Sequence, residues 1–215
     1  TEKFGDERRS EIIPFQFGEF NIEDLIAEEQ MVVTISHTGY IKRVAYDTYR
    51  SQKRGGRGVS GTDLKEEDHL EHIFVPSTHH YLLFFTNKAK VFKMKVHQIG
   101  EYGRTARGQA IVNLLQVDKD EKVQAIIPVR NFEEGGYICT CTRRGVVKRT
   151  TLDAYANINV NGIIALTLRD DDELVSVRRS PGDEELMIVS KLGMSIRFNE
   201  NDAREMGRTA TGVRG

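Results

Sequence analysis

The chain has 215 residues, 31 Lys and Arg against 32 Asp and Glu, and 39% hydrophobic with 29% charged residues. That balance excludes an intrinsically disordered chain and a uniformly basic nucleic-acid binder, and its length allows one large domain or two small ones. No apolar run approaches the roughly 18 residues of a membrane-spanning helix.

The charge is segregated. Residues 1–30 hold nine acidic and three basic residues, residues 40–60 one acidic and six basic, and residues 86–108 again one and six. Acid returns in DLKEEDHLE, DKDEK and DDDE. Positive and negative segments in alternation let a fold place them on different surfaces. The opening TEKFGDERRSEII has no apolar signal region and no initiator Met, which points to a piece of a longer cytoplasmic protein.

In chain order, four segments resemble one another: VVTISHTGYIKR (32–43), LLFFTNKAKVFK (82–93), ICTCTRRGVVKR (138–149) and MIVSKLGMSIRF (187–198). Each reads as a β-hairpin, two β-rich runs around a short turn. The turn positions Gly39, Ala89, Gly145 and Gly193 are 50, 56 and 48 residues apart. A second landmark, Gly58, Gly108, Gly162 and Gly212, follows them at offsets of 19, 19, 17 and 19. Around it the sequence reads RGGRGV, RTARGQ, NVNGII and RTATGV. Further β-rich runs, HIFVPS, QAIIPV and LVSVRR, each follow an acidic stretch. No long window has helical periodicity, so the chain is predicted to be all-β, built from blade-like repeats of about four strands. The predicted organisation is a leading segment 1–30, which offers strands to an adjacent blade, and repeats over about 32–81, 82–137, 138–186 and 187–215, the last incomplete. The chain lacks Trp, so the familiar tryptophan-bearing propeller signatures are absent.

Little of the chemistry points to catalysis. GRTARGQA, from Gly103, has the glycine spacing of a phosphate-cradling loop, but Gln109 and Ala110 stand where Lys and Ser/Thr are needed. Cys139 and Cys141 share a strand face and read as small buried apolar residues. His69 and His72 lie in an acidic connection and read as solvated, and Asp170, Asp171 and Asp172 read as an exposed turn. No metal and no catalytic residue is assigned.

The cations, in contrast, recur with the repeat. Lys42, Arg43 and Arg50 flank the first landmark; Lys88, Lys90, Lys93 and Lys95 precede the second; Arg143, Arg144, Lys148 and Arg149 precede the third. Equivalent positions of successive blades share one rim, so the set predicts a curved basic stripe that holds double-stranded DNA by its phosphates, without base readout. Any single one of these cations is also accounted for by solvation of its own hairpin.

QKRGGRG, Gln52 to Gly58, resembles the QRRGGRG box of the C-terminal DNA-wrapping domain of the gyrase A family, with Lys53 where the family usually has Arg. KFGDERRSEI resembles that family's junction after the cleavage core, and VTISHTGYIKR with TYRSQKRGGRGV its first blade; the similarity covers essentially the whole chain. The resemblance implies a β-pinwheel, of whose six blades about four are represented, and a perimeter that wraps DNA to direct crossing handedness for negative supercoiling. It implies that the loop Gln52, Lys53, Arg54, Gly55, Gly56, Arg57 and Gly58 grips the duplex, with Arg104, Arg107 and Arg208 as degenerate counterparts. It further implies partners in the gyrase B subunit, in the rest of the DNA gyrase A subunit, and a cytoplasmic, nucleoid-associated location. ATP and Mg²⁺ would act elsewhere in the parent enzyme, with no cofactor in this fragment; none of the seven Tyr follows an Arg, as the family's cleavage tyrosine does. The alternatives are the C-terminal domain of topoisomerase IV, whose box is degenerate, and a bladed protein-interaction scaffold acting through the acidic connections.

Overall fold

A computed structural model describes residues 22–49 and 68–215. Among these the fold is all-β, with short 3-10 turns and no α-helix. The three similar hairpins that lead are β1 (Met31–Ser36) with β2 (Tyr40–Ala45), β4 (Tyr81–Thr86) with β5 (Lys90–Lys95), and β8 (Tyr137–Thr142) with β9 (Val146–Thr151). Each gains an antiparallel strand on its first member: β3 (Leu70–Phe74), β7 (Val123–Val129) and β11 (Leu174–Ser180). These are the β-rich runs that follow the acidic stretches.

The fourth strand of each sheet comes from the next repeat. β6 (Gln109–Ala110) pairs with β2, β10 (Ile163–Ile164) with β5, and β14 (Val213–Arg214) with β9. Three sheets therefore share one order: β3-β1-β2-β6, β7-β4-β5-β10 and β11-β8-β9-β14. Consecutive repeats are interlocked by strand exchange, and the landmark glycines Gly108, Gly162 and Gly212 stand immediately before the exchanged strands. The fourth hairpin, β12 (Glu185–Val189) with β13 (Ser195–Asn199), pairs only with itself among the described residues. It keeps apolar side chains exposed, Leu192 at 92%.

Sheets buried on both faces explain the continuous apolar runs. On β4, Leu82 and Phe84 join a core with Met31, Val33, Ile41 and Ile126, while Leu83 and Phe85 join a second core with Ile138, Tyr155, Leu166 and Val177. The second sheet thus lies between the first and the third.

The hairpin turns are built alike. Gly39, Ala89, Gly145 and Gly193 all have positive φ, between 57° and 84°. Three residues earlier in each hairpin stands a hydroxyl that accepts the N–H just after the turn: Ser36 from Tyr40 (3.2 Å), Thr86 from Lys90 (3.2 Å), Thr142 from Val146 (3.2 Å) and Ser190 from Met194 (3.1 Å). Carboxylates from the acidic connections fix the first three turns. Asp68 accepts from Thr38 N–H and Oγ1, Glu121 from Thr86 Oγ1, and Asp172 from Thr142 Oγ1 (2.6 Å) and Arg144 N–H (3.0 Å). Burial raises the Asp68 carboxyl, but the bonds from Thr38, Ser36 and His69 outweigh it and hold it at about 2. The same balance of burial against the bonds from Thr142, Arg144 and Glu173 leaves Asp172 below the usual carboxylate range.

Two expectations need correction here. Asp172 is not part of an exposed turn; it is 8% exposed and serves as an anchor, while Asp170 and Asp171 are exposed. His72 lies inside β3, stacked on Phe74, and His69 stacks on His37 at 4.7 Å between ring centroids. Only His72 departs from the solvated reading, because the acidic connection ends sooner than the sequence suggests; His69 is exposed and precedes β3. Cys139 is buried and Cys141 half-buried, both as free thiols raised by burial.

Residues before β1 run along the start of the second repeat. Thr78 N–H donates to Glu29 O (2.9 Å), Thr78 Oγ1 to Ala27 O (2.8 Å), and Lys95 pairs with Glu23 at 2.6 Å. Residues 22–30 form a 3-10 turn and an isolated bridge from Gln30 to Ser77 rather than strands; residues 1–21 lie outside the described part.

Candidate nucleic-acid interface

The exchanged segment carries the basic landmark. After β5 the chain approaches β2 in parallel at Glu101, with Arg43 N–H donating to Gly100 O (3.2 Å) and Tyr102 N–H to Arg43 O (3.1 Å). It then loops outward over residues 103–108 and returns as β6, antiparallel to Tyr40 and Ile41. Ala106 N–H closes the loop onto Gly103 O at 3.1 Å. The fourth repeat repeats this on the third sheet. Glu205 bridges Arg149, Ala210 N–H donates to Gly207 O (3.0 Å), and β14 follows. The basic turn of one repeat therefore sits on the edge of the preceding sheet.

Gly108 shows why a glycine is needed at the return. Its φ is +93°, and a Cβ there would lie 2.5 Å from Ile41 O and 2.9 Å from Lys42 Cβ. Gly212, at φ +105°, would meet Val147 O at 2.6 Å. The left-handed backbone and the close approach each exclude a side chain.

Of the predicted contact residues, Arg50, Gln52, Lys53, Arg54, Gly55, Gly56, Arg57 and Gly58 lie outside the described residues. The described ones separate into interior and surface groups. Lys42 (1% exposed) and Lys148 (0%) are not on the rim. The Lys42 ammonium donates to Arg104 O and to Ala106 O (2.7 Å). Lys148 donates to Ala165 O (2.5 Å), Gly207 O (3.4 Å) and Arg208 O. Burial, helped by the Arg208 charge, pulls Lys148 down to about 8.

Arg149 is interior as well, at 7%, lying over the Tyr137 ring with Nη1 2.6 Å from Asn201 Oδ1 and 3.8 Å from Glu200. Arg43 donates through Nε to Ile99 O (2.7 Å) and pairs with Glu101 at 3.5 Å. Lys93 is half-buried, donating to Ala156 O (2.5 Å), and burial lowers its pKa. These five cations tie one repeat to the next because β2, β5 and β9 face the exchanged segment, so a phosphate-contacting role for Lys42, Lys148 and Arg149 is corrected to a structural one.

The surface group is smaller. Arg104, Arg107 and Arg208 belong to the landmark turns and are half-buried. Arg107 stacks on Tyr40, its guanidinium carbon 3.6 Å from the ring centroid, and Arg208 donates to Ile164 O (2.9 Å). Burial raises the Tyr49 hydroxyl, and the Arg104 charge pulls it partly back. Lys88, Arg143 and Arg144 are exposed on the hairpin turns. There Arg143 faces Glu173 (3.1 Å) and Arg144 faces Asp171 (3.9 Å), and Lys90 faces Asp118 (3.5 Å) and Glu121 (3.7 Å). The hairpin-turn edge is thus mixed in charge, whereas the half-buried arginines of the landmark turns have no carboxylate within ion-pair distance among the described residues. Sequence reading missed Tyr40, the platform under Arg107; its place directly after the turn glycine was the available signal.

The family model described as the DNA gyrase C-terminal domain, beta-propeller, matches residues 30–77, 80–130, 136–181 and 184–215. The chain belongs to this family. Similar relatives include the DNA gyrase A subunit of Clostridium acetobutylicum, 51% identical over 99% of the chain and 26% of the relative, and that of Halalkalibacterium halodurans, 49% identical over 100% and 26%. The chain therefore spans about a quarter of the length of these relatives. Among solved structures, the C-terminal domain of DNA topoisomerase IV aligns with a TM-score of 0.78 at 31% identity, covering 88% of this chain and 58% of that one. A DNA gyrase A C-terminal domain aligns with a TM-score of 0.65 at 27% identity, covering 87% and 60%. Each matched segment holds one of the four hairpins described above, while the exchanged strand of each complete sheet falls in the following segment. Among the described residues, no cluster of three or more His, Cys, Asp and Glu is arranged to hold a metal, and no helix is long and apolar enough to cross a membrane.

Proposed function

We propose that this gyrase-family domain binds and wraps double-stranded DNA along its landmark turns, reading phosphates rather than bases, and so directs the crossing handedness needed for negative supercoiling. The observation that carries the reading is the recurrence of one arginine-bearing turn, seated in the same way on the first and third sheets. Guanidinium groups recurring at equivalent places on the first and third sheets suit a polyanion with a regular charge repeat. QKRGGRG, the segment with the densest cations, follows Tyr49 closely in the sequence.

In this reading the domain is non-catalytic, needs no cofactor of its own, and works within a gyrase A chain, together with gyrase B, in the bacterial cytoplasm, associated with the nucleoid. ATP and Mg²⁺ act elsewhere in that assembly. The domain organisation follows the repeats, 31–215 forming the pinwheel and 1–30 the junction.

Salt dependence tests the interface. Each phosphate contact adds about 0.9 to the slope of log K against log salt. Replacing Arg104, Arg107 and Arg208 together by Ala should reduce the slope of duplex binding by about 2 to 3 and weaken binding equally on unrelated sequences. A slope unchanged by the triple substitution would move the interface away from these turns. Absence of salt-dependent duplex binding by the chain would favour a scaffold that binds proteins through its acidic connections.

A further inference from the structure

The two interior lysines are alike in bonding carbonyls of equivalent turns. Lys42 and Lys148 occupy the third position after the hairpin-turn glycine of the first and third repeats. Both ammonium groups bond backbone carbonyl oxygens of the basic turn from the following repeat. The equivalent residue of the second repeat is Phe92, and the turn above it is NVNG, which has no cation. There Gly162 sits against the ring, where a Cβ would come within 2.9 Å of Phe92. Among the three complete sheets, then, a buried ammonium lies beneath each turn that carries arginines, and an aromatic ring beneath the turn that does not.

The chemistry of the pairing is direct. A tight turn must point some of its carbonyl oxygens somewhere, and a carbonyl facing a phosphate repels it. A buried ammonium draws these oxygens inward through charge-assisted hydrogen bonds. The opposite side of the turn is then left to N–H groups and guanidinium side chains. An ammonium in the interior is tolerated only with such partners.

We propose that Lys42 and Lys148 are positioning residues for DNA contact: each gathers the carbonyls of the next repeat's basic turn under the sheet edge, so that the turn is held in the shape from which Arg104, Arg107 or Arg208 reaches a phosphate. The proposal deepens the DNA-wrapping reading and rests on it for its ligand. It also separates two roles that basic residues play in this chain. The interior lysines shape the turn, and the arginines on the turn meet the phosphates.

The test uses the whole chain and Lys148→Met, which keeps an unbranched side chain one atom shorter and removes the donor. Two measurements are made. Hydrogen exchange of the Ala210 amide, which closes the turn onto Gly207 O, should accelerate by about tenfold, while the β8–β9 ladder keeps its rates. On a duplex of arbitrary sequence, Arg208→Ala should lower the affinity of the parent several-fold and lower that of Lys148→Met hardly at all. Lys148→Arg, which keeps a buried donor, should restore part of the dependence on Arg208. Unchanged exchange at Ala210, or an Arg208→Ala effect equal in both backgrounds, overturns the proposal. Faster exchange at Ala210 in Lys148→Met, together with no duplex binding by the parent chain, would instead overturn the DNA reading and leave the turn-shaping role standing. If Lys148→Met does not fold, Lys42→Met with Arg104→Ala and the Ala106 amide gives the same test on the first sheet.

Discussion

Glu200→Ala lowers the unfolding free energy by about 3–5 kcal/mol, the range found when one partner of a buried ion pair is removed. Glu200 follows β13 and is 0% exposed. Its carboxylate accepts from Ser180 Oγ and from Glu184 N–H (2.7 Å), lies 3.8 Å from Arg149 Nη1, and takes the Cys139 thiol at 3.7 Å. It joins the end of the third sheet to the fourth hairpin. Without it the Arg149 guanidinium keeps Asn201 and the Tyr137 ring but loses its counter-charge inside the protein, and the donors of Ser180, Glu184 and Cys139 lose this acceptor. Arg143→Ala, which breaks an exposed pair with Glu173, costs under about 1 kcal/mol and provides the contrast. Urea unfolding of both variants measures the difference, and a loss below about 1 kcal/mol for Glu200→Ala would contradict this account of the junction.

The same carboxylate predicts a pH dependence. Burial raises Glu200, but the bonds from Ser180 and Glu184 and the Arg149 charge prevail and leave it below its ordinary value. Asp68 and Asp172 are depressed too. A folded-state value below the unfolded one gives stability that is complete above the unfolded carboxylate range, near 4, and is lost as pH falls through the folded values. The urea midpoint should therefore fall as pH drops from about 5 toward 3, and less steeply in Glu200→Gln.

Gly108→Ala costs about 2–4 kcal/mol, from a left-handed backbone with a side chain and from overpacking against a carbonyl that cannot move without breaking β2. Because β6 is only two residues long, the strain is expected to detach the exchanged strand and release the first sheet from the second repeat. Gly39→Ala is the control: its φ is similar, +84°, but nothing lies within 4 Å of the added Cβ. It should cost only about 1 kcal/mol. Ala89 already stands at the equivalent turn with φ 57°, so the turn accepts a side chain where the landmark does not. Equal losses at the two positions would remove the close approach as the reason for the landmark glycine.

The repeat, the hairpins and both glycine landmarks were legible in the sequence because they are local: a turn of positive φ calls for Gly at a fixed place. The exchange of strands was not, since nothing in GRTARGQA says that Gln109 and Ala110 pair with residues some seventy positions earlier. The interior lysines misled for a physical reason. Lysine in a strand reads as a surface residue, and the backbone carbonyls these two bond leave no mark in the sequence. Aligning the repeats would have exposed them, because Lys42 and Lys148 fall where the other repeats have Phe92 and Ile196, at an apolar position. The Ser or Thr three residues before each turn residue was equally visible, and it explains why the acidic connections carry carboxylates at Asp68, Glu121 and Asp172.

Wrapping in a defined sense is tested most directly by topology. The chain is incubated with nicked circular DNA, the nick is sealed with ligase, the protein is removed, and the sign of the trapped supercoiling is determined. Positive supercoils are expected, and they should be lost when Lys53, Arg54 and Arg57 are replaced by Ala while salt-dependent binding through the landmark turns persists. Binding with no change in linking number would contradict the proposal that this chain wraps DNA.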